Sequence, residues 1–289
     1  MNTNTQIKYQ TQNKRTSIAW KWYFLLLLIF CVPLIVLRTL QIEHSINLTN
    51  GYFLGNPISL YILYAGIILF FIIILLMAIV DRGMYQPHFE KTNSILIKVV
   101  SLATGIFSFI YPISNLYQAI NNPDNTMPFI LLVSILALLS GIGFIYFMWR
   151  IDKPNGGVSD ILLGFPSLFC GILLLSMFME HTVVVTISEN VMNIIRVVFE
   201  ALFFITAAKI VIHFDSALNQ CWMIVSGFMS VLLGSLTTIP LCIGMLSGNV
   251  YTSEHLLLTT PLDCMLWIFT VVFLFYYFIT RQPKQKERE

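Results

Sequence analysis

Of 289 residues, 57% are hydrophobic and 10% charged, with a mean hydropathy of +0.81, where an ordinary soluble domain has roughly 25% charged residues. A water-exposed fold cannot bury that much apolar surface, so the composition places the chain in the membrane class. The formal net charge of +2 conceals a segregation by loop, basic on one set and acidic on the other, which fits orientation across a bilayer with anionic lipid and argues against a nucleic-acid partner.

The chain opens on a polar tail, residues 1–19, with Lys8, Lys14 and Arg15. Eight apolar runs follow: Trp20–Leu37, Ile58–Val80, Ile95–Leu116, Phe129–Trp149, Ile161–Met179, Val191–Ile212, Trp222–Leu246 and Leu256–Ile279. A hydrocarbon core of roughly 30 Å needs roughly 20 residues rising 1.5 Å each, and every run lies within the tolerated range. The expected fold is all-α: a polytopic membrane bundle of eight transmembrane helices over residues 20–280, followed by a basic tail over 281–289. The longest segment outside, Arg38 to Pro57, is too short for an independent domain, which usually needs 50 residues or more.

Lys21, Arg82, Lys91, Lys98, Arg150, Lys153, Arg281, Lys284, Lys286 and Arg288 join the amino-terminal tail on one side. Glu43, Asp124, Glu180, Glu189 and Glu254 occupy the other, with Arg38 the one basic exception. Short loops rich in Lys and Arg stay cytoplasmic, so both termini are expected in the cytoplasm, and an even number of crossings independently requires that they share a side. No cleavable signal is read, because a polar tail precedes the first run and no small-x-small site follows it. Cys31 follows Phe30, against a lipoprotein cleavage site. The five cysteines, Cys31, Cys170, Cys221, Cys242 and Cys264, lie in or at the edges of runs with no metal or redox spacing. Asn47-Leu48-Thr49 matches a glycan acceptor and is read as chance.

Pro33, Pro112, Pro166, Pro240 and Pro261 sit within or near the ends of spans, where each removes a backbone donor and bends its helix. In span three, Ser101, Thr104, Ser108 and Asn115 gather near one side. Span seven has Ser226, Ser230, Gly234 and Thr238 every four residues, a stripe of small groups that lets helices approach closely. Gly141 and Gly143 in span four read as packing. Spans two and four, with no charge in the core, are expected at the lipid-facing edge, leaving spans three, six and seven as the interior. Spans one and five both run into a Glu-His dipeptide, but the third and fourth helices do not align at the same offset, which weighs against a four-plus-four repeat.

Span six is the exception among the runs. Glu189, Asn193, Arg196 and Glu200 follow a four, three, four spacing and so share one helix face from the outer mouth to mid-bilayer. Arg196 and Glu200, one turn apart, can pair. An ionised group at the bilayer centre costs roughly 3 kcal/mol or more, so such residues face protein or water. One reading is a polar path that binds a cation or carries a proton; the other is a buried ion pair that fixes helix packing. Lys209, near the cytoplasmic end, can snorkel to headgroups. Asp263, about two turns into span eight, lies on a stripe with His255 and Thr259. Its pairing with Arg196 would leave Glu200 free to titrate.

Three of the five histidines follow a glutamate, all at outer span ends: Glu43-His44, Glu180-His181 and Glu254-His255. Converged, they would hold a divalent metal or sense external pH, which requires helices one, five and eight to meet; as unrelated interface residues they need no cofactor, and none is predicted. His88 and His213 have no such partners.

The chain has no H-E-x-x-H motif and no phosphate-binding glycine loop, and Glu189 with Arg196 lacks the paired-glutamate spacing of eight-helix intramembrane proteases. An enzyme is therefore not the expected class. Arg38-Thr39-Leu40-Gln41, Thr49-Asn50-Gly51-Tyr52-Phe53 and Ser188-Glu189-Asn190 resemble segments of a group of multi-span bacterial membrane proteins of unknown function. The resemblance implies a bacterial plasma membrane and groups Arg38, Gln41 and Asn190 at an outer mouth beside the span-six stripe. The expected function is permease-like transport of an ion or small solute along helix six. The alternatives are a membrane sensor or complex subunit with a membrane or cytoplasmic protein partner, and, third, an intramembrane metalloenzyme.

Overall fold

The computed structural model describes residues 3–45, 57–81, 94–121, 127–151, 158–181, 188–212, 216–246 and 260–280. Eight long helices make up almost all of this: α1 (Thr3–His44), α2 (Pro57–Asp81), α3 (Ile95–Asn121), α4 (Met127–Arg150), α5 (Phe165–His181), α6 (Ser188–Val211), α7 (Ala217–Leu246) and α8 (Pro261–Thr280). A 3-10 segment, Val158–Gly164, leads into α5. Seven of the eight are long and apolar enough to cross a bilayer; α6, which carries Arg196, Glu200 and Lys209, lies outside that set.

Several boundaries differ from the apolar runs: α1 begins at Thr3, so most of the expected polar tail over residues 1–19 is helical rather than separate from the first span, and three other differences bear on the site. The helix of the first run continues past Leu37 to His44, so Arg38 and Gln41 are helical rather than part of a loop. Pro166 is the second residue of α5, directly after the 3-10 segment. Pro261 is the first residue of α8, where its missing N–H would be unpaired in any case, so it starts a helix instead of kinking one. Pro33, Pro112 and Pro240 do lie inside α1, α3 and α7.

The centre of the bundle is α7, with 89% of its span buried, held among α1, α2, α6 and α8. An arc of α3, α4 and α5 closes the other side, running from α8 round to α6. The edge position of α2 agrees with the sequence reading, since only 28% of its span is buried. The placement of α3 inside and α4 outside does not: α3 is 39% and α4 44% buried. The polar face of α3 is consumed locally. Thr104 Oγ1 donates to Val100 O (2.8 Å), Ser108 Oγ to Thr104 O (2.9 Å) and Ser101 Oγ to Phe144 O of α4 (2.6 Å). Those groups thus mark a helix–helix seam. Gly105 and Gly141 lie at it, and a Cβ on either would stand 3.0–3.1 Å from the other's carbonyl oxygen.

Small residues set the approach of α7 to its neighbours as its stripe predicts. Ser226, Ser230 and Thr238 are buried. A Cβ on Gly234 would lie 2.6 Å from Trp267 Cδ1, and the Trp267 indole donates to Val231 O at 3.0 Å. Gly227 makes room for Leu274 and Phe203. Two contacts fix α1 parallel to α7: Tyr23 stacks on Phe228 and Cys31 meets Ser235 at 2.8 Å. Two more fix α8 antiparallel to α7, Leu274 against Gly227 and Trp267 against Gly234. That is the order expected if every crossing reverses direction. His44 and Pro261 therefore mark one end of the bundle, and Trp20 and Thr280 the other.

Candidate functional site: a buried charge triad of α6 and α8

The site begins with how α8 starts. Thr260-Pro261-Leu262-Asp263 is a capping box: the Thr260 backbone N–H and Oγ1–H both donate to Asp263 Oδ2 at 2.7 Å, and Asp263 N–H donates back to Thr260 Oγ1 at 3.3 Å. Asp263 therefore stands in the first turn of α8, not two turns in as its run suggests. Its second oxygen is used as well. Asp263 Oδ1 accepts from Arg196 Nη2 at 2.8 Å, a charge-assisted bond between α6 and α8.

Arg196 is completely buried, and so is Glu200 one turn further along α6. Arg196 Nε lies 3.7 Å from Glu200 Oε1, an ion pair without hydrogen-bond geometry. Both Glu200 oxygens, together with Arg196 Nε and Nη1, have no hydrogen-bond partner among the described residues. The two carboxylates differ completely in this respect. Asp263 is satisfied on both oxygens; Glu200 is satisfied on neither. One guanidinium against two carboxylates leaves the triad with a formal charge of one negative.

The neighbourhood has two more polar members. Asn193, three residues before Arg196 on the same face, is buried with Oδ1 unpartnered among the described residues. Cys170 of α5, also fully buried, lies within electrostatic range of Glu200, Asp263 and Arg196. Nothing in the spacing of Cys170 marked it, because only the packing of α5 on α6 brings it there. Across from α6, Phe203 meets Gly227 of α7, a register that sets Ser230 at the height of Glu200. The Ser230 hydroxyl is likewise buried without a partner among the described residues. Asn193, Arg196 and Glu200 of the stripe are thus packed against protein.

Toward the Thr280 end the site is closed by phenyl rings. Phe144 and Phe147 of α4, Phe203 and Phe204 of α6 and Phe269 and Phe273 of α8 interlock with centroids 4.9–6.0 Å apart. A cavity of the fold lies in this layer, lined by Gly143, Phe144, Leu163, Pro166, Phe204 and Phe273 among others. Its lining has no titratable side chain, and no member of the triad borders it. Counted along α6 at 1.5 Å per residue, Arg196 is about 12 Å and Glu200 about 18 Å from Ser188.

Other expected site residues separate into groups. Arg38 and Gln41 are both buried, and Arg38 Nη1 donates to Gln41 Oε1 at 2.9 Å, so this pair does come together, inside α1. Asn190 and Glu189 lie on α6, but their side chains fall outside the described residues, as do those of Glu180 and His181. Glu254, His255 and Thr259 fall outside them entirely. Glu43 and His44 lie 4.0 Å apart at the end of α1, with the imidazole 73% exposed. Among the described residues, no three His, Cys, Asp or Glu side chains gather as a metal site would require.

A second buried ion pair escaped the reading of the sequence. Arg150, counted there only as a topology signal, has Nε 2.9 Å from Asp160 Oδ1, and the Tyr146 hydroxyl donates to the same oxygen at 3.0 Å. It ties α4 to the 3-10 segment. The readable signal was an Asp at the rim of an apolar run, ten residues after an Arg at the rim of the previous one.

No protein-family model, curated protein or solved structure matches the chain. The bacterial likeness expected from the short segments at Arg38, Thr49 and Ser188 gains no support from these comparisons. At the level the helices and composition support, the chain is an all-helical, multi-pass membrane protein.

Proposed function

We propose that this protein is a permease-like carrier of an ion or small solute in a bacterial plasma membrane, with both termini cytoplasmic and Glu200 as its coupling carboxylate. One observation carries the reading: two buried carboxylates share one guanidinium, and of the two Glu200 has no hydrogen-bond partner among the described residues. A purely architectural ion pair needs one carboxylate, which Asp263 supplies. A second, unsatisfied one in a fully buried position is destabilising unless a proton or a ligand neutralises it, and polar groups of that kind mark transport pathways in membrane bundles.

In this scheme Asp263 and Thr260 hold Arg196 in place, and Arg196 keeps the charge of Glu200 tolerable when it is ionised. Access runs from the His44 end, taken as the outer one, along Asn193. The phenyl layer closes the inner side. Transport then requires that layer to part while the outer approach closes, a relative movement of helices around a fixed charge site.

The test is uptake by vesicles loaded with purified protein, over a panel of inorganic cations and small organic ions, at several pH values. Wild type is expected to show pH-dependent uptake of at least one species, and Glu200→Gln to lose that dependence while remaining folded. Unchanged uptake by Glu200→Gln rules out the coupling role. A stoichiometric protein partner on purification, with no flux of any species, would transfer support to the sensor or complex-subunit reading.

A further inference from the structure

We infer that the species exchanged at Glu200 is a proton rather than a metal cation, with Ser230 and Cys170 as the groups that receive the hydrogen bond of the protonated acid. This rests on the transport reading above and names what couples to it.

The chemistry around the carboxylate disfavours a cation shell. Hard cations such as Mg²⁺ or Ca²⁺ require six or more oxygen ligands. Among the described residues Glu200 stands instead beside a guanidinium at 3.7 Å from Oε1 and a thiol in electrostatic range. A fixed positive charge at that distance repels a metal ion, and no cluster of three ligating side chains forms among the described residues. A proton needs no shell, no volume and no second carboxylate. Its uptake is balanced simply: a hydronium ion gives its proton to one Glu200 oxygen, leaving water and a neutral acid. The triad passes from one negative charge to none, with the Arg196–Asp263 pair intact.

Protonation also supplies what the site lacks. The carboxylate can only accept, whereas Ser230, level with it on α7, has a hydroxyl with no partner among the described residues. A carboxylic acid brings one O–H donor, which a hydroxyl oxygen such as that of Ser230 can accept. Among the described residues the charged and titratable groups facing Glu200 are Arg196 on its own helix, Asp263 on α8 and Cys170 on α5. From α7 the level neighbour is Ser230, and from the 3-10 segment Asp160 is occupied by Arg150 and Tyr146. No other described carboxylate competes for the proton at this depth.

The experiment follows proton binding directly, apart from any flux. The full chain in lipid nanodiscs is taken through a pH jump, and infrared difference spectra record the carboxyl stretch; inorganic cations are then added at constant pH. Wild type is expected to show one protonated-carboxyl band that appears and disappears with pH and ignores Na⁺, K⁺ and Mg²⁺. Glu200→Gln should lose that band, Glu200→Asp should keep it at a shifted position, and Ser230→Ala should displace it. A wild-type spectrum that responds to a cation at fixed pH, or a band that survives in Glu200→Gln, overturns the assignment. If Glu200→Gln fails to fold, an unshifted band in both Glu200→Asp and Ser230→Ala overturns it equally. Proton binding at Glu200 without flux of any species sinks the carrier and leaves the proton site standing. Uptake that follows Na⁺ and not pH does the reverse.

Discussion

Asp263→Asn and Glu200→Gln make the same chemical change, a carboxylate to its amide, in the same buried triad, and the structure assigns them opposite costs. Asp263 accepts three hydrogen bonds, at 2.7, 2.7 and 2.8 Å, one of them from Arg196 Nη2. Asparagine can still accept from Thr260, but its amide leaves Arg196 with no hydrogen-bonded counter-charge. Removing one member of a buried ion pair costs about 3–5 kcal/mol, so Asp263→Asn should lose at least about 3 kcal/mol. Glu200 has no hydrogen-bond partner among the described residues and contributes the surplus negative charge. Its amide should therefore fall within about 1 kcal/mol of wild type, since the buried charge it removes was itself unfavourable. Unfolding equilibria in mixed detergent micelles, with helix content as the signal, measure both. Equal losses, or a larger one for Glu200→Gln, would refute the claim that Asp263 alone anchors Arg196, and Glu200 would then be a structural member of the triad.

Three further outcomes are expected. Gly143→Ala places a Cβ 2.6 Å from the Leu162 carbonyl oxygen and should cost about 1–3 kcal/mol by overpacking, whereas Gly171→Ala, with nothing within 4 Å, should be neutral or stabilising; the same unfolding assay separates them. Asp160→Asn strips the carboxylate that holds Arg150 Nε at 2.9 Å and should lower stability by about 3 kcal/mol or more, an effect absent if Arg150 serves only as a topology signal. Single cysteines placed in a cysteine-free background at Asn4 and at Gln285 should react with membrane-impermeant reagent only after cells are opened; labelling of intact cells at either position would contradict cytoplasmic termini.

Most of the architecture is legible in the apolar runs, because bilayer thickness forces each crossing to about the same length. What escapes them is where helices end. The first helix runs on through Arg38, which is buried and donates from Nη1 to Gln41 Oε1 one turn on, so polar residues there signal burial rather than exit. Pro261 reads as a kink until Thr260-Pro261-Leu262-Asp263 is seen as a helix start, a signature that was present in the sequence. The relative burial of α3 and α4 was not legible, because hydroxyls returning to their own backbone leave a polar-looking face with no need for the interior. Within the site, the spacing of Asn193, Arg196 and Glu200 does predict a shared face. The meeting with Asp263 follows from charge balance, but Cys170 and Ser230 become neighbours only through tertiary packing, which no local pattern encodes.

The most direct measurement of the central claim is the charge displaced by a pH jump across the purified protein on a solid-supported membrane. Wild type should give a transient current that grows with the pH step, and Glu200→Gln, at equal protein density, should give none. A current of wild-type size from Glu200→Gln, or none from folded wild type, would contradict a mobile proton at the sixth helix.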